Sequence, residues 1–506
     1  KHDMLRNGSK AGWRKWQEKV DSNAATSGYR PPASSSASSA LGSSGGGGGG
    51  HDDVWRECGG MPRSTDKFPD APSLGNLPNF YMYTDKEFSV NELLVCYKEK
   101  FGVNAWEDER MWELAQNTGA LWLHTALLRH KSRVSRPDDA KLFIVPIDAY
   151  VSFKVGSCQG VEHKDRMDYA LKKLLKSHWW NSKKGEDHVF IAPWWGAKAA
   201  WGKEIWAAAS QTSVLVTFDE GFAHDWKKVV LAPYVPHALL TKAGKSTCES
   251  RKDLLRPKPN DKTSSLDRSI GLYFRGSVMH GVNCKYGDTW VRKAAYAAME
   301  PMKQALFVAT ESSSIASDGV IKLNTKDQDE DTRRMKTQEN QGHFSALKYV
   351  QELLRSEYCL HFRGDTTTSR RVYDAVAAGC VPVIISDNTH VPFTSSLNWN
   401  AFTVTIPERA LLQSTPEKVA QLLQKLIDDR GLLKAKQQAL ARVRQDLLYG
   451  FGSPLDPGST DAFTSRVPNH VLNEAYKAVK HSGKYRRFKD PNKSCVTLQS
   501  AKAAEP

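Results

Sequence analysis

FRGDTTTSRRVYDAVAAGCVPVIISD, residues 362–387, decides how the chain is read. YCLHF (358–362) leads into it as a short apolar run, and VPVIIS (381–386) closes it as another. Runs of that length, rich in branched and aromatic residues, are buried strands. Between them RGDTTTS turns and RRVYDAVAAG carries a helical pattern. A strand, a turn, a helix and a strand make a βαβ unit with parallel strands.

The turn delivers backbone N–H groups and a helix N-terminus to the end of a strand, which is an anion site by geometry. Thr366, Thr367, Thr368 and Ser369 add hydroxyl donors, and one of them is expected to cap the helix. Arg370 or Arg371 can fork onto a phosphate. Asp374, one turn further on, is a poor phosphate neighbour but can accept two hydrogen bonds from vicinal hydroxyls, as in a ribose. A phosphate end and a ribose end a turn apart fit a nucleotide-sugar. The competing account is a pair of ordinary helix ion pairs, since Arg370 and Asp374 are four apart and Arg371 and Asp374 three apart; these contribute a few tenths of a kcal/mol each.

Working outward, the same alternation recurs twice. NFYMYTD (79–85), DAKLFIVPID (139–148), DHVFIAPWW (187–195), VLVTFDE (214–220) and KKVVLAP (227–233) read as strands, with helices over 106–130 and 163–178. A second series has strands IGLYFRG (270–276), ALFVAT (305–310), YCLHF and VPVIIS, helices near 289–300, 345–356 and from 369, and two more between 416 and 447. The expected organisation is a low-complexity stem over 1–54, a first Rossmann-like domain on the acceptor side over 55–240, a linker over 241–266, a nucleotide-sugar domain over 267–450 and a basic tail over 451–506. The run PPASSSASSALGSSGGGGGG in the stem cannot build a core. Ligands of open α/β sheets lie at the carboxyl ends of the strands, so the site belongs in the cleft between the domains.

Composition agrees with this and narrows the partners. A chain of 506 residues with 40% hydrophobic content supports two cores. Its net charge of +15 suits an anionic partner. The eight cysteines form no CxxC or Cys/His zinc spacing, which disfavours a zinc site and permits a few disulfides in an oxidising compartment. Asn-x-Ser triplets at Asn7 and Asn492 lean toward a secretory route. No apolar run of about 18 residues occurs, and the chain begins at Lys1 rather than Met. A membrane anchor upstream of Lys1 is expected, with the Gly/Ser run as the stem of a type II Golgi enzyme.

Ser356-Glu-Tyr-Cys-Leu, Gly364-Asp-Thr, Ser369-Arg-Arg, Tyr373-Asp-Ala and Gly379-Cys-Val-Pro-Val-Ile together resemble the exostosin family, glycosyltransferase family 47. Asp138-Asp-Ala-Lys-Leu-Phe-Ile-Val-Pro, Gly185-Glu-Asp-His-Val-Phe, Val229-Val-Leu-Ala-Pro, Tyr273-Phe-Arg-Gly-Ser with Val291-Arg292, Pro392-Phe and Leu397-Asn-Trp follow the family's pattern in order over about 79–450. The likeness is to plant and green-alga members. It implies an α/β fold of GT-B type and an inverting transfer from a nucleoside-diphosphate sugar, with UDP expected, to a polysaccharide or glycoprotein glycan. It implies Arg275 and Arg371 at the diphosphate and Asp374 at the ribose, with Thr368, Ser369 and Arg370 beside them; Arg292 is a further, weaker candidate. Two departures stand out: Pro193-Trp194-Trp195-Gly196 replaces the family's His-Asp-Trp-Gly, and 311–342 is a long polar loop.

Inversion needs a base for the acceptor hydroxyl and stabilisation of the leaving diphosphate. Asp148, His188, Asp219 and Glu220 are the base candidates at strand ends, with Asp219 and His188 taken as the working pair. Trp179, Trp180, Trp194 and Trp195 can stack on sugars or fill a core. No metal or other cofactor is expected, because Asp327, Asp329 and Asp331 sit in a polar loop that reads as a solvated charge run. A dimer with itself or with a related transferase is open. Rival functions are a non-catalytic donor- or glycan-binding subunit and a basic nucleic-acid binder. For the latter, HSGKYRRFKD (481–490) has the right charge but no nucleic-acid module is present.

Overall fold

The computed structural model describes residues 76–109, 115–219, 223, 225–242, 268–277, 290–310, 314–315, 321–322, 346–364, 367–387, 389–450, 453–455 and 465–481. The proposed stem, both Asn-x-Ser triplets, Glu220 and the acids at 327–331 lie outside these residues.

The first sheet contains β1 (Phe80–Met82), β2 (Leu142–Val145), β3 (His188–Ile191), β4 (Val214–Thr217) and β5 (Lys228–Leu231). All are parallel and lie side by side in chain order. β2 to β5 are buried throughout, the expected signature of a parallel sheet covered on both faces. Alternate residues divide between two cores: Leu142 and Ile144 enter one, Phe143 and Val145 the other. The helices of this half are α1 (Asn91–Phe101), α2 (Gly119–Leu128), α3 (Ala149–Val155), α4 (His163–Lys176), α5 (His178–Lys183), α6 (Ala197–Ser210) and α7 (Ala238–Lys242). Within the expected 106–130 helix, the described residues form an α-helix only from Gly119, after 3-10 turns at Ala105–Glu107 and Ala115–Asn117. Gly202 interrupts α6 with φ of 83°, a left-handed kink that glycine tolerates without a Cβ clash.

The second sheet contains β6 (Ile270–Ser277), β7 (Ala305–Thr310), β8 (Ser356–Phe362), β9 (Val381–Ile385) and β10 (Val404–Thr405). They are parallel, in the order β10-β9-β8-β6-β7. The chain steps outward from β6 to β7, then returns to β8 on the other side of β6. That reversal is a topological switch point, where open α/β sheets hold their ligands. Around this sheet stand α8 (Trp290–Met299), α9 (Ala346–Leu354), α10 (Arg370–Ala378), α11 (Pro416–Asp428) and α12 (Arg430–Leu447). Two parallel α/β sheets of Rossmann-like kind are thus present, the expected GT-B type fold. Part of the expected loop 311–342 is ordered as a small antiparallel ribbon, Ser314–Ile315 against Ile321–Lys322.

Disulfides Cys96–Cys158 and Cys359–Cys380 fasten α1 to the segment after α3 and β8 to the start of β9.

The region expected as a basic tail, 451–506, requires correction. It contains α13 (Val467–Lys480), which packs on β4, β5 and α2 of the first domain. Val467, Val471, Leu472, Ala475 and Ala478 are fully buried along one face, the spacing of an amphipathic helix. They join a core that runs from the first sheet through α2 to α9, α10 and α12 of the second domain.

Candidate functional site

The switch point is built from β6, β8 and the start of α10. Arg275 stands near the end of β6, but its guanidinium is not open. Its Nε and one terminal nitrogen each donate to Glu352 at 2.9 Å, and the Tyr273 hydroxyl donates to the same carboxylate at 2.9 Å. The charge expected at the diphosphate is therefore neutralised by α9.

Arg371 is disposed differently. Its Nε donates to the Arg275 carbonyl at 2.9 Å, its guanidinium lies 5.3 Å from the Phe274 ring centroid, and the side chain is half-buried. Among the described residues it forms an ion pair with no carboxylate. A Cβ on Gly276 would come within 2.6 Å of it, so glycine here lets the guanidinium lie against the strand. Arg292 reaches the same Phe274 ring at 5.6 Å and donates to the Arg363 carbonyl at 2.6 Å. A Cβ on Gly364 would meet it at 2.9 Å. Arg363 itself pairs with Glu408 at 2.9 Å.

The turn before α10 is held from below. His361 is buried and contacts the Thr367 carbonyl through Nε2 at 3.0 Å and the Ser369 hydroxyl through Nδ1 at 3.2 Å. Burial lowers its pKa to about 3, so the ring is neutral. Nε2 then carries the proton and Nδ1 accepts from Ser369. The Ser386 and Thr389 hydroxyls also donate to the Thr367 carbonyl, both at 2.8 Å. Ser369 occupies the N-cap position of α10 without the expected side-chain cap bond, because its hydroxyl is turned to His361. Thr368 is 2% exposed, and Asp365 and Thr366 lie outside the described residues.

Arg370 and Asp374 face the first domain rather than the switch point. Arg370 donates to both oxygens of Glu109, at 3.2 and 3.0 Å. Asp374 is 1% exposed; Oδ1 accepts from the His237 amide at 2.7 Å, Oδ2 from the Tyr349 hydroxyl at 2.8 Å, and Arg370 stands 3.6 Å away. The Ala238 amide donates to Glu109 at 2.7 Å. Burial and the Arg370 charge lower the His237 pKa to about 3, outweighing Asp374. Burial also opposes the Arg370 charge, but Glu109 and Asp374 hold its pKa well above the ordinary arginine value. Asp374 is thus sealed in a network between the domains, and a ribose can reach it only if that network opens. Glu109, His237, Tyr349 and Glu352 carry no local sequence signal; each is a long-range partner.

On the first-domain side, His188 requires correction as a base. It is the first residue of β3, so it sits at the amino-terminal edge, away from the cleft. It is fully buried, bonded to Tyr83 at 2.9 Å and Asp187 at 3.0 Å and stacked on Phe143. Asp219 follows β4 at the cleft edge, 2% exposed and already engaged by a neighbour. Asp148 follows β2 at the same edge and is 4% exposed. Trp180 and Trp194 belong to the core, while Trp179 and Trp195 are partly buried against it.

A half-buried arginine at the switch point, a helix N-terminus beside it and a second βα domain across the cleft suit an anionic, phosphate-bearing ligand. The chain belongs to the Exostosin GT47 domain family, whose match spans residues 77–425. Among curated relatives, it is 26% identical over 306 residues to an Arabidopsis thaliana protein described as "Probable glucuronoxylan glucuronosyltransferase", covering 57% of this chain and 54%, about half, of that one. It is 25% identical over 378 residues to an Arabidopsis "Probable beta-1,4-xylosyltransferase", covering 71% and 75%. A rice "Probable glucuronosyltransferase" is 23% identical over 372 residues, covering 71% and 74%. Among solved structures, Anabaena HepE in complex with UDP and glucose aligns with TM-score 0.33 and 8% identity over 80% of this chain and all of that one.

Proposed function

We propose that this protein transfers a sugar from a UDP-sugar to a polysaccharide or glycoprotein glycan, with inversion at the anomeric carbon and without a metal. Arg371 carries the proposal: a half-buried cation with no carboxylate in ion-pair range among the described residues, held by an aromatic ring beside the α10 N-terminus at a switch point. Such a group binds a diphosphate and stabilises it as it leaves. Arg275, Thr368 and Ser369 shape this end. Asp374 holds the ribose in a form where Tyr349 or His237 has withdrawn. The relatives' names make UDP-xylose and UDP-glucuronic acid the first donors to try. The two disulfides among the described residues support an oxidising compartment such as the Golgi lumen. Among the described residues no helix is long and apolar enough to cross a membrane.

The test is thermal unfolding with UDP, then UDP release from a donor panel. UDP at a hundred times its dissociation constant stabilises by about 2.7 kcal/mol, and duplex DNA should leave the transition unchanged. Stabilisation by UDP with no turnover of any donor would favour the non-catalytic subunit. No response to UDP overturns the donor site.

A further inference from the structure

We propose that Asp148 is the general base of the transfer, with Oδ2 receiving the proton of the acceptor hydroxyl. This rests on the glycosyltransferase function proposed above.

Asp148 lies three residues beyond the end of β2, at the edge of the first sheet that faces the cleft. Its Oδ1 accepts from the Val151 amide at 2.9 Å, capping α3 and fixing the side chain. Its Oδ2 is buried and has no hydrogen-bond partner. A helix cap needs only the first oxygen. Leaving the second buried and unsatisfied costs about 1–3 kcal/mol, so the cap does not account for a carboxylate at this position. Asp219, the other described acid at this edge, is also engaged by a neighbour and likewise has a buried Oδ2 that makes no hydrogen bond; Asp148 differs in being fixed in place by its helix cap.

The surroundings are largely aromatic. Ala149 and Tyr150, directly after Asp148, line a small, partly open cavity of about 10 Å³ with Asn117, Pro193 and Trp194, room for about one water. Tyr150 and Trp194 meet edge to face at 5.1 Å, and half-buried Trp195 follows at 5.8 Å from Trp194. Pro193 and the Tyr449 hydroxyl converge on Gly119, at 2.8 and 3.3 Å from where a Cβ would stand. Tyr449 in turn donates to the Pro233 carbonyl at 2.7 Å, four residues before His237 and its bond to Asp374. A chain of direct contacts therefore joins the cavity wall to the donor domain. Burial raises the Asp148 pKa to about 6, only partly offset by the Val151 and Tyr150 amides, and no charged side chain contributes. A base tuned upward toward neutrality accepts a hydroxyl proton more readily than an ordinary carboxylate.

The step balances. The acceptor O–H proton passes to Oδ2, and the oxygen forms its bond to the anomeric carbon. The bond from that carbon to the diphosphate breaks, and its electron pair leaves with the diphosphate beside Arg371. The proton then returns to solvent.

The full chain is assayed for UDP release from UDP-xylose and UDP-glucuronic acid with a β-1,4-xylo-oligosaccharide, as wild type, Asp148→Asn, Asp148→Ser and Asp219→Asn. Asn and Ser both retain a capping oxygen. Expected for each Asp148 variant is a drop in kcat of about 10²–10⁴-fold, UDP affinity within about twofold of wild type by calorimetry, and loss of the activity limb near pH 6. Asp148→Asn turnover within about threefold of wild type overturns the assignment, as does a parallel loss of UDP binding. Full loss in Asp219→Asn alone moves the base to Asp219. No wild-type turnover on any donor removes the glycosyltransferase function and the base with it.

Discussion

The backbone amide of His237, in the first domain, donates a 2.7 Å hydrogen bond to Oδ1 of Asp374 in the first turns of α10. This bond and the Glu109–Arg370 pair join the two domains, while Tyr349 of the second domain donates to Oδ2 of the same carboxylate. With the ribose role proposed above, donor binding would draw on the carboxylate that also serves the domain contact.

Asp374→Ala should accordingly do two things. Losing the carboxylate leaves the Tyr349 hydroxyl and part of Arg370 buried without their partner, at a cost of about 2–4 kcal/mol. UDP affinity should fall as well. Chemical unfolding and calorimetry on the same sample check both. Unchanged stability with lost affinity would mean that the network contributes nothing to the fold.

Arg371→Lys should lower kcat by about 10²-fold or more, because lysine keeps the charge but loses the planar fork. Chelator should leave turnover intact. Among the described residues no group of three His, Cys, Asp or Glu side chains is placed to hold a metal. Activity that vanishes in chelator and returns with Mn²⁺ would refute the metal-free diphosphate site.

The raised Asp148 pKa has a consequence for stability. A carboxyl whose folded pKa is about 6, against 3.8 unperturbed, stabilises the fold fully below the lower value and loses that contribution as pH rises through about 6. The shift corresponds to about 3 kcal/mol at most. The stability of Asp148→Asn relative to wild type should thus rise between pH 4 and pH 6.5, then level off. A flat difference in unfolding free energy across that range would show that Asp148 titrates normally.

Val471→Asp should unfold the first domain. Val471 is completely buried in α13 against that domain, and an unpaired carboxylate there would cost several kcal/mol. Insoluble expression or loss of the cooperative transition is the expected result. Full stability would mean that α13 contributes little to the first core.

The sequence alone determined the βα grammar, because a strand buried on both faces must be a short apolar run. It also brought together the proposed anion end of the site, where turn, helix start and Arg370–Arg371 fall within one contiguous stretch. It did not determine which charges remain open. Arg275, Arg370 and Asp374 looked like ligands locally, but their partners Glu352, Glu109 and His237 lie 77, 261 and 137 residues away. Such pairings arise only when packing brings distant segments together, and burial then makes each unpaired charge too costly to leave alone. The same holds for His188, whose place at the wrong edge of the sheet follows from strand direction relative to the cleft. It holds too for α13, whose apolar face acquires meaning only against the first sheet. Local periodicity specifies elements; tertiary structure decides which polar groups it neutralises and which it leaves for a ligand.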